Sequence, residues 1–167
     1  MKIQKTNVAR LLDKAKVAYE LIPYEVDEND LAAQHVADSL HEDIRQVFKT
    51  IVLHGDKSGF LVCVVPGDTE VDLKKAARVS GNKKVEPLPL KELLPTTGYI
   101  RGGCSPIGMK KHFPTYFHRT ATDFPHIYVS AGQRGQQIRI APQDLIRESR
   151  GEVADLVKDA TAEVVDA

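Results

Sequence analysis

Tryptophan is absent from the chain, and cysteine and methionine each occur only twice in 167 residues. The cysteines, Cys63 and Cys104, are far apart and share no CxxC or mixed Cys/His spacing, which excludes a disulfide-stapled scaffold and a zinc ribbon and suits a reducing compartment. Histidines 35, 41, 54, 112, 118 and 126 form no HxH or HxxxH pair, so no metal site is expected. Apolar runs never approach the ~20 residues a membrane helix needs, and Met1–Lys5 lacks the layout of a secretory leader; a soluble, cytoplasmic protein with no membrane partner is expected. Neither GxGxxG nor Walker spacing occurs, which disfavours a nucleotide-phosphate loop, and no GxSxG elbow is present to activate a serine. The chemistry is therefore expected to run without a cofactor.

Charge of one sign is also lacking overall, with a formal net charge of zero, yet it is segregated along the chain. Glu20 to Asp43 holds eight acids and no Lys or Arg, whereas Ile44 to Arg119 holds thirteen Lys/Arg against six acids. That basic middle can serve as a phosphate-binding surface whose strength falls with salt, or simply as solvated helix faces.

The length suits a single domain, taken as residues 1–158 with a polar tail at 159–167 that should fray. Thr6 or Asn7 can cap a helix over about 7–17, and Tyr19–Val26 reads as a strand held to a sheet edge by Pro23. Leu31–Leu40 is a second helix. Gln46–His54 and Phe60–Val65 are β-rich runs flanking the turn residues Gly55–Gly59, a hairpin that should form the centre of the sheet. Asp72–Ser80 has helical spacing and stops at Gly81-Asn82, Pro89–Leu94 allows a helical turn, and Pro142 opens a helix to about Arg150. A short segment around Val85, Tyr99-Ile100, Thr115–His118, His126–Ser130 and Gln136–Ile140 supply further strand candidates. The sum is an α+β domain with a mixed sheet, helices outside it and a large loop at Arg101–Met109.

Lys49 is the most informative residue. With period two it shares a strand face with Val47, Ile51 and Leu53, so its ammonium projects among aliphatic groups and either meets an anion in a cleft or snorkels to water from the strand's mouth. Gly98–Gly108 (GYIRGGCSPIG) carries four glycines around one proline, and Gly102-Gly103 would let backbone N–H groups approach a ligand or a developing oxyanion. In Tyr128–Gly135 (YVSAGQRG) a strand delivers Ser130 beside Gly132, as a hydrogen-bonding residue rather than a nucleophile. Tyr24, beside Pro23, offers a hydroxyl or is merely half-buried.

The runs QVFKTIVL (46–53), DLKKAARVSGNKKVE (72–86), TGYIRGGCSPIGMKK (97–111), IYVSAGQRG (127–135) and APQDL (141–145), in this order and spacing, resemble the YbaK/EbsC family of Cys-tRNA(Pro) deacylases over about residues 5–157. The resemblance implies a mixed, mostly antiparallel, barrel-like sheet with surrounding helices, as in the editing domains associated with aminoacyl-tRNA synthetases. It implies an enzyme that clears cysteine from tRNA(Pro), with prolyl-tRNA synthetase as a partner and no DNA partner. Lys49 matches the family's essential lysine, and Gly102 and Gly103, with Ser105, Pro106 and Gly108, match the glycine–proline loop of its pocket. Tyr24, Ser130 and Gly132 match the pocket rim, and Lys74, Lys75, Lys83 and Lys84 are assigned to the tRNA backbone. The resemblance implies no protein nucleophile, and the substrate's own cysteinyl thiol can take that role. Rival readings are editing of another misacylated tRNA such as Ala-tRNA(Pro), or a non-catalytic RNA- or nucleotide-binding module. His41 departs from the family, where relatives often have a helix-ending glycine.

Overall fold

A computed structural model describes residues 5–159. The chain opens with α1 (Asn7–Lys14), whose first turn is capped by Thr6 Oγ1 accepting from the Ala9 N–H at 3.2 Å. Its face of Val8, Ala9 and Leu12 is buried. β1 (Tyr19–Pro23) follows, then α2 (Ala33–Leu40), the long hairpin of β2 (Phe48–Gly55) and β3 (Gly59–Pro66), and α3 (Leu73–Ser80). Beyond these come β4 (Val85–Pro87), α4 (Leu93–Thr97), β5 (Thr115–His118), β6 (Ile127–Ser130), β7 (Gln136–Ile140), α5 (Pro142–Glu148) and β8 (Glu152–Ala154).

The strands form two sheets, one of order β1-β7-β6 and one of order β4-β2-β3-β5-β8. The pairs are antiparallel except β3–β5 and β5–β8, and among the described residues the sheets are linked by one isolated bridge, Val47 to Tyr128, and by the core they share. The strands are thus mixed and mostly antiparallel as expected, but the sheets do not close, so "barrel-like" holds only loosely, for two open sheets packed together. β3 reads as a continuous apolar run because both its faces are covered. Val62 and Val64 join a core with Phe48, Phe117, Ile127 and Ile138, while Leu61, Cys63 and Val65 join a second core under Ala76, Ala77 and Leu156.

Pro23 ends β1 at the sheet edge, as its missing N–H requires. The hairpin turn is braced from outside: Asn82 Oδ1 accepts from the N–H groups of Lys57 and Ser58 at 2.8 and 2.9 Å. Gly81 takes the left-handed conformation (φ 75°) that ends α3 and presents Asn82 to the turn, so the expected stop signal is also a clamp. His41 holds the same left-handed position after α2 (φ 57°), the geometry glycine would satisfy without strain.

Tyr99-Ile100 is not a strand. Gly98 ends α4 with φ 88°, and the Tyr99 N–H turns back to Thr97 Oγ1 at 3.0 Å, so this segment continues a helix end. β8 and the segment after it had no strand signal in the sequence. They are held by β5, by a Val71–Val157 bridge and by the Lys158 N–H on the Glu70 carbonyl. Asp159 is described; the remainder of the tail expected at 159–167 lies outside the described residues.

Candidate active site

A gap in strand pairing creates the site. On one side β2 is paired with β3 along its whole length. On the other side it is met by β4 only at Leu53–Gly55, with the Leu88 N–H on Val52, and by Tyr128 at Val47. The edge between, residues 48–51, stays uncovered, and Lys49 stands in the middle of it. A cleft of ≈ 500 Å³ opens there, between the Leu31–Ala33 entry to α2, the Arg101–Cys104 loop and the ends of β6 and β7. Its size suits a small ligand or one nucleotide.

The Lys49 side chain is half-buried, and among the described residues Nζ donates only to the Gly67 carbonyl, at 3.4 Å. Among the described residues no carboxylate lies within ion-pair distance of it. Burial lowers its pKa below the ordinary lysine value, with Glu70 and Asp68 opposing from farther away. Gly67 is a glycine because α2 packs close: a Cβ there would sit 2.4 Å from Ala33 Cβ.

Three of the residues singled out in the sequence line this cleft: Lys49, Gly102 and Ser130. Gly102 takes φ 85°, open to glycine and strained for other residues. Ser130 is buried and its Oγ accepts from the Gly132 N–H at 3.1 Å. The expected pair of free amides is corrected, because the Gly103 N–H is committed to the Ile100 carbonyl at 2.9 Å. Gly103 instead permits close loop packing, since a Cβ there would lie 3.1 Å from Gln133 Cα. Ser105 is fully buried and accepts from the Ile107 N–H, while Pro106 and Gly108 line a separate hollow beside Leu11 and Leu12. Gly132 packs on Val8 and Tyr99. Tyr24 lies against a neighbouring cluster with Val36 and Tyr128, and its N–H binds the Gly135 carbonyl at 2.9 Å.

The four backbone lysines do not share one surface. Lys74 borders a second hollow that includes Lys49. Lys75 is gripped by Asp155 at 3.0 Å, Asp159 at 2.9 Å and the Val157 carbonyl at 2.8 Å, which corrects its assignment as a free phosphate contact. Lys83 and Lys84 sit past the hairpin end of β2, about 20 Å along the strand from Lys49. Lys84 is paired with Glu86 at 3.0 Å.

Sequence reasoning missed Thr50 and Gln137. Both line the cleft, and Thr50 Oγ1 and Gln137 Oε1 are buried without a hydrogen-bond partner. Unsatisfied buried polar atoms are rare, and these two are placed where a molecule in the cleft could reach them. Gln137 stands opposite Ser130 in the β6–β7 register, a relation visible only once the strands are paired. Arg134 was also missed: it donates to the Arg101 carbonyl at 2.8 Å and pairs with Glu28 at 2.8 Å, pinning the glycine loop to the segment before α2. Cys104 lines the cleft too, but burial pushes its thiol pKa up to about 12, so it is protonated and unreactive near neutral pH.

The aminoacyl-tRNA editing domain matches residues 27–148, well over half of the chain. The chain is 50% identical, over 92% of its length and 93% of the relative's, to EbsC of Enterococcus faecalis, a proposed Cys-tRNA(Pro)/Cys-tRNA(Cys) deacylase. Over 83 residues, half of this chain and 15% of the relative, it is 30% identical to a proline–tRNA ligase of Thermosipho africanus. Among solved structures, a candidate trans-editing enzyme for prolyl-tRNA synthetase superposes with a TM-score of 0.79 at 23% identity, covering 93% of this chain and all of that one. The hypothetical protein APE2540 superposes at 0.83 with 18% identity, covering 90% and 99%; these two likenesses bear on the fold alone. The chain belongs to the aminoacyl-tRNA editing domain family.

Proposed function

We propose that this protein is an aminoacyl-tRNA deacylase that removes cysteine wrongly attached to tRNA(Pro), acting in trans on charged tRNA. The observation that carries the reading is the partly desolvated Lys49 ammonium, with no carboxylate at ion-pair distance among the described residues, at an open strand edge inside a nucleotide-sized cleft. It calls for an anionic or electron-rich group, which the terminal nucleotide of a charged tRNA provides. The relative's name and the family support the substrate class.

The protein's own thiols are held protonated by burial, Cys104 and Cys63 alike at about 12. The nucleophile is then the cysteinyl thiol of the substrate. Its sulfur attacks the ester carbonyl, an S–C bond forms, the C–O bond to the ribose breaks, and the thiol proton ends on the departing ribose oxygen. The products are cysteine thiolactone and uncharged tRNA, and water later opens the thiolactone to free cysteine. Lys49 places positive charge beside the leaving oxygen or its nearby phosphate. Gly102, Ser130, Thr50 and Gln137 hold the aminoacyl group so that sulfur and carbonyl meet, a gain of position rather than of protein nucleophilicity. Alanine and serine esters lack the thiol, so discrimination comes from chemistry and exceeds what a small apolar pocket provides. Prolyl-tRNA synthetase would supply tRNA selection that the cleft does not.

Single-turnover deacylation of tRNA(Pro) charged with cysteine, alanine, serine or 2-aminobutyrate tests this. Cleavage of the cysteinyl ester alone is expected. Equal cleavage of the 2-aminobutyryl ester, which replaces SH by CH₃, would remove the thiol from the mechanism, and absence of turnover on every ester would remove the deacylase reading.

A further inference from the structure

Lys49 lines two hollows. Besides the cleft described above, it borders one of ≈ 610 Å³ on the side of β2 toward α3, and Ile51 and Pro87 are shared between the two as well. Ile51, Leu53, Leu73 and Pro87 give this second hollow apolar walls, and Leu73 is exposed. Its charged groups differ in their partners. Asp72 caps α3, accepting from the Lys74 and Lys75 N–H groups at 2.9 and 3.1 Å, and Glu70 holds Lys158 at 2.9 Å. Lys49 and Lys74 have no ion-pair partner among the described residues, and the charged side chains lining the hollow, Lys49, Lys74 and Lys158 against Glu70 and Asp72, leave a surplus of one positive charge.

Resting on the deacylase reading, we propose that the second hollow is a subsite for the nucleotide preceding the terminal adenosine of the single-stranded tRNA 3′ end. The chain of a nucleic acid places one phosphodiester between successive nucleosides, and here one ammonium stands between two nucleoside-sized spaces. The terminal adenosine with its aminoacyl ester occupies the first cleft and the linking phosphodiester lies at Lys49. The preceding base covers Leu73 and Pro87, and its own 5′ phosphate meets Lys74. Packing of a base face on apolar side chains with phosphates on lysines is sequence-tolerant, as a site serving a constant 3′ end allows. Lys49 then measures the register of the strand, so that the ester carbonyl reaches Ser130 and Gln137 only when both nucleotides are seated.

Cysteinyl esters of adenosine, of the dinucleotide CpA and of the trinucleotide CpCpA, each carrying a 5′ phosphate so that Lys49 is met by all three and Lys74 from the dinucleotide onward, separate this proposal from the reading beneath it. With the wild-type protein, kcat/KM should rise about tenfold or more from the adenosine ester to the dinucleotide ester, corresponding to one added subsite. Leu73→Asp and Lys74→Glu, at exposed positions on the first turn of α3 where an acid favours the helix, should remove most of that rise. They should leave the adenosine ester within about twofold of wild type. Equal kcat/KM for the three esters in the wild type, or an equal loss on all three in the variants, would overturn the subsite while leaving the deacylase reading intact. Failure of the wild type to cleave any of them, when cysteinyl-tRNA is cleaved, would also overturn it by placing recognition in the tRNA body. Failure on cysteinyl-tRNA as well would overturn both.

Discussion

Two half-buried lysines on the five-stranded sheet and its cover, Lys49 on the open edge of β2 and Lys75 on α3 at the seam with the C-terminal segment, have opposite surroundings. Lys75 is surrounded by oxygens, and its hydrogen bonds to Asp159 and Asp155 raise its pKa. Lys49 has one carbonyl at 3.4 Å, and desolvation lowers its pKa. The same side chain is a structural clasp in one region and an unmet electrostatic demand in the other. A cation at a seam binds the chain to itself; a cation at an unpaired strand edge is available to a ligand.

Four measurements sharpen or break that contrast. The largest effect is expected for Lys49→Ala, which should lower single-turnover deacylation about 10²–10³-fold, as loss of an aligned electrostatic group does, while the melting temperature holds or rises. A variant that unfolds would move Lys49 to the side of Lys75. Ile51→Glu gives Lys49 a carboxylate partner, which it lacks among the described residues, two residues and about 7 Å along the strand. It should lower kcat/KM roughly 10–100-fold by neutralising the ammonium and repelling phosphate, and unchanged turnover would make the missing counter-ion incidental. Lys75→Met should lower the melting temperature by roughly 2–4 °C, with turnover within about twofold of wild type. Normal stability with weakened tRNA binding would instead restore Lys75 to the tRNA surface.

The smallest effect concerns pH at the same seam. His118 is buried, and its Nδ1 accepts from the Leu156 N–H at 3.2 Å, a bond that protonation there would remove. Desolvation lowers its pKa below 6.5, with Arg119 and Lys75 acting the same way and Asp155 and Asp123 opposing. The folded state therefore binds fewer protons than the unfolded one below about pH 6.5. His118 thus contributes stability that is complete above that pH and is lost as pH falls through the lower folded value. Melting temperatures from pH 7.5 to 5 should fall more steeply for wild type than for His118→Gln, and parallel slopes would show that the seam does not sense protonation through this residue.

Much of the fold was legible because the signals were local. Thr6 caps α1, Asp72 and Gly81 bracket α3, Pro23 stops an edge strand, and Gly59 turns the hairpin at φ 77°. β8 was not legible, since three residues pairing in parallel at an edge carry no periodicity of their own. Within the candidate site, Lys49 announced itself as a charge on an apolar strand face. Gly103 misled, because glycine density signals close approach without saying whether a ligand or, as here, the backbone of Gln133 is approached.

The amino-acid sequence alone determined that β2 would be a central strand carrying a cation, that Gly102 would sit in a loop with freedom others lack, and that the chain resembles an editing domain. Only the tertiary structure decided that β4 and β6 leave residues 48–51 of β2 uncovered. It alone brought the unpartnered oxygens of Thr50 and Gln137 into the Lys49 cleft and turned Lys75 away into a salt-bridged seam. The physical reason is range: caps, turns and periodicity act over a few residues, whereas desolvation and ion pairing depend on which distant segments come to lie alongside.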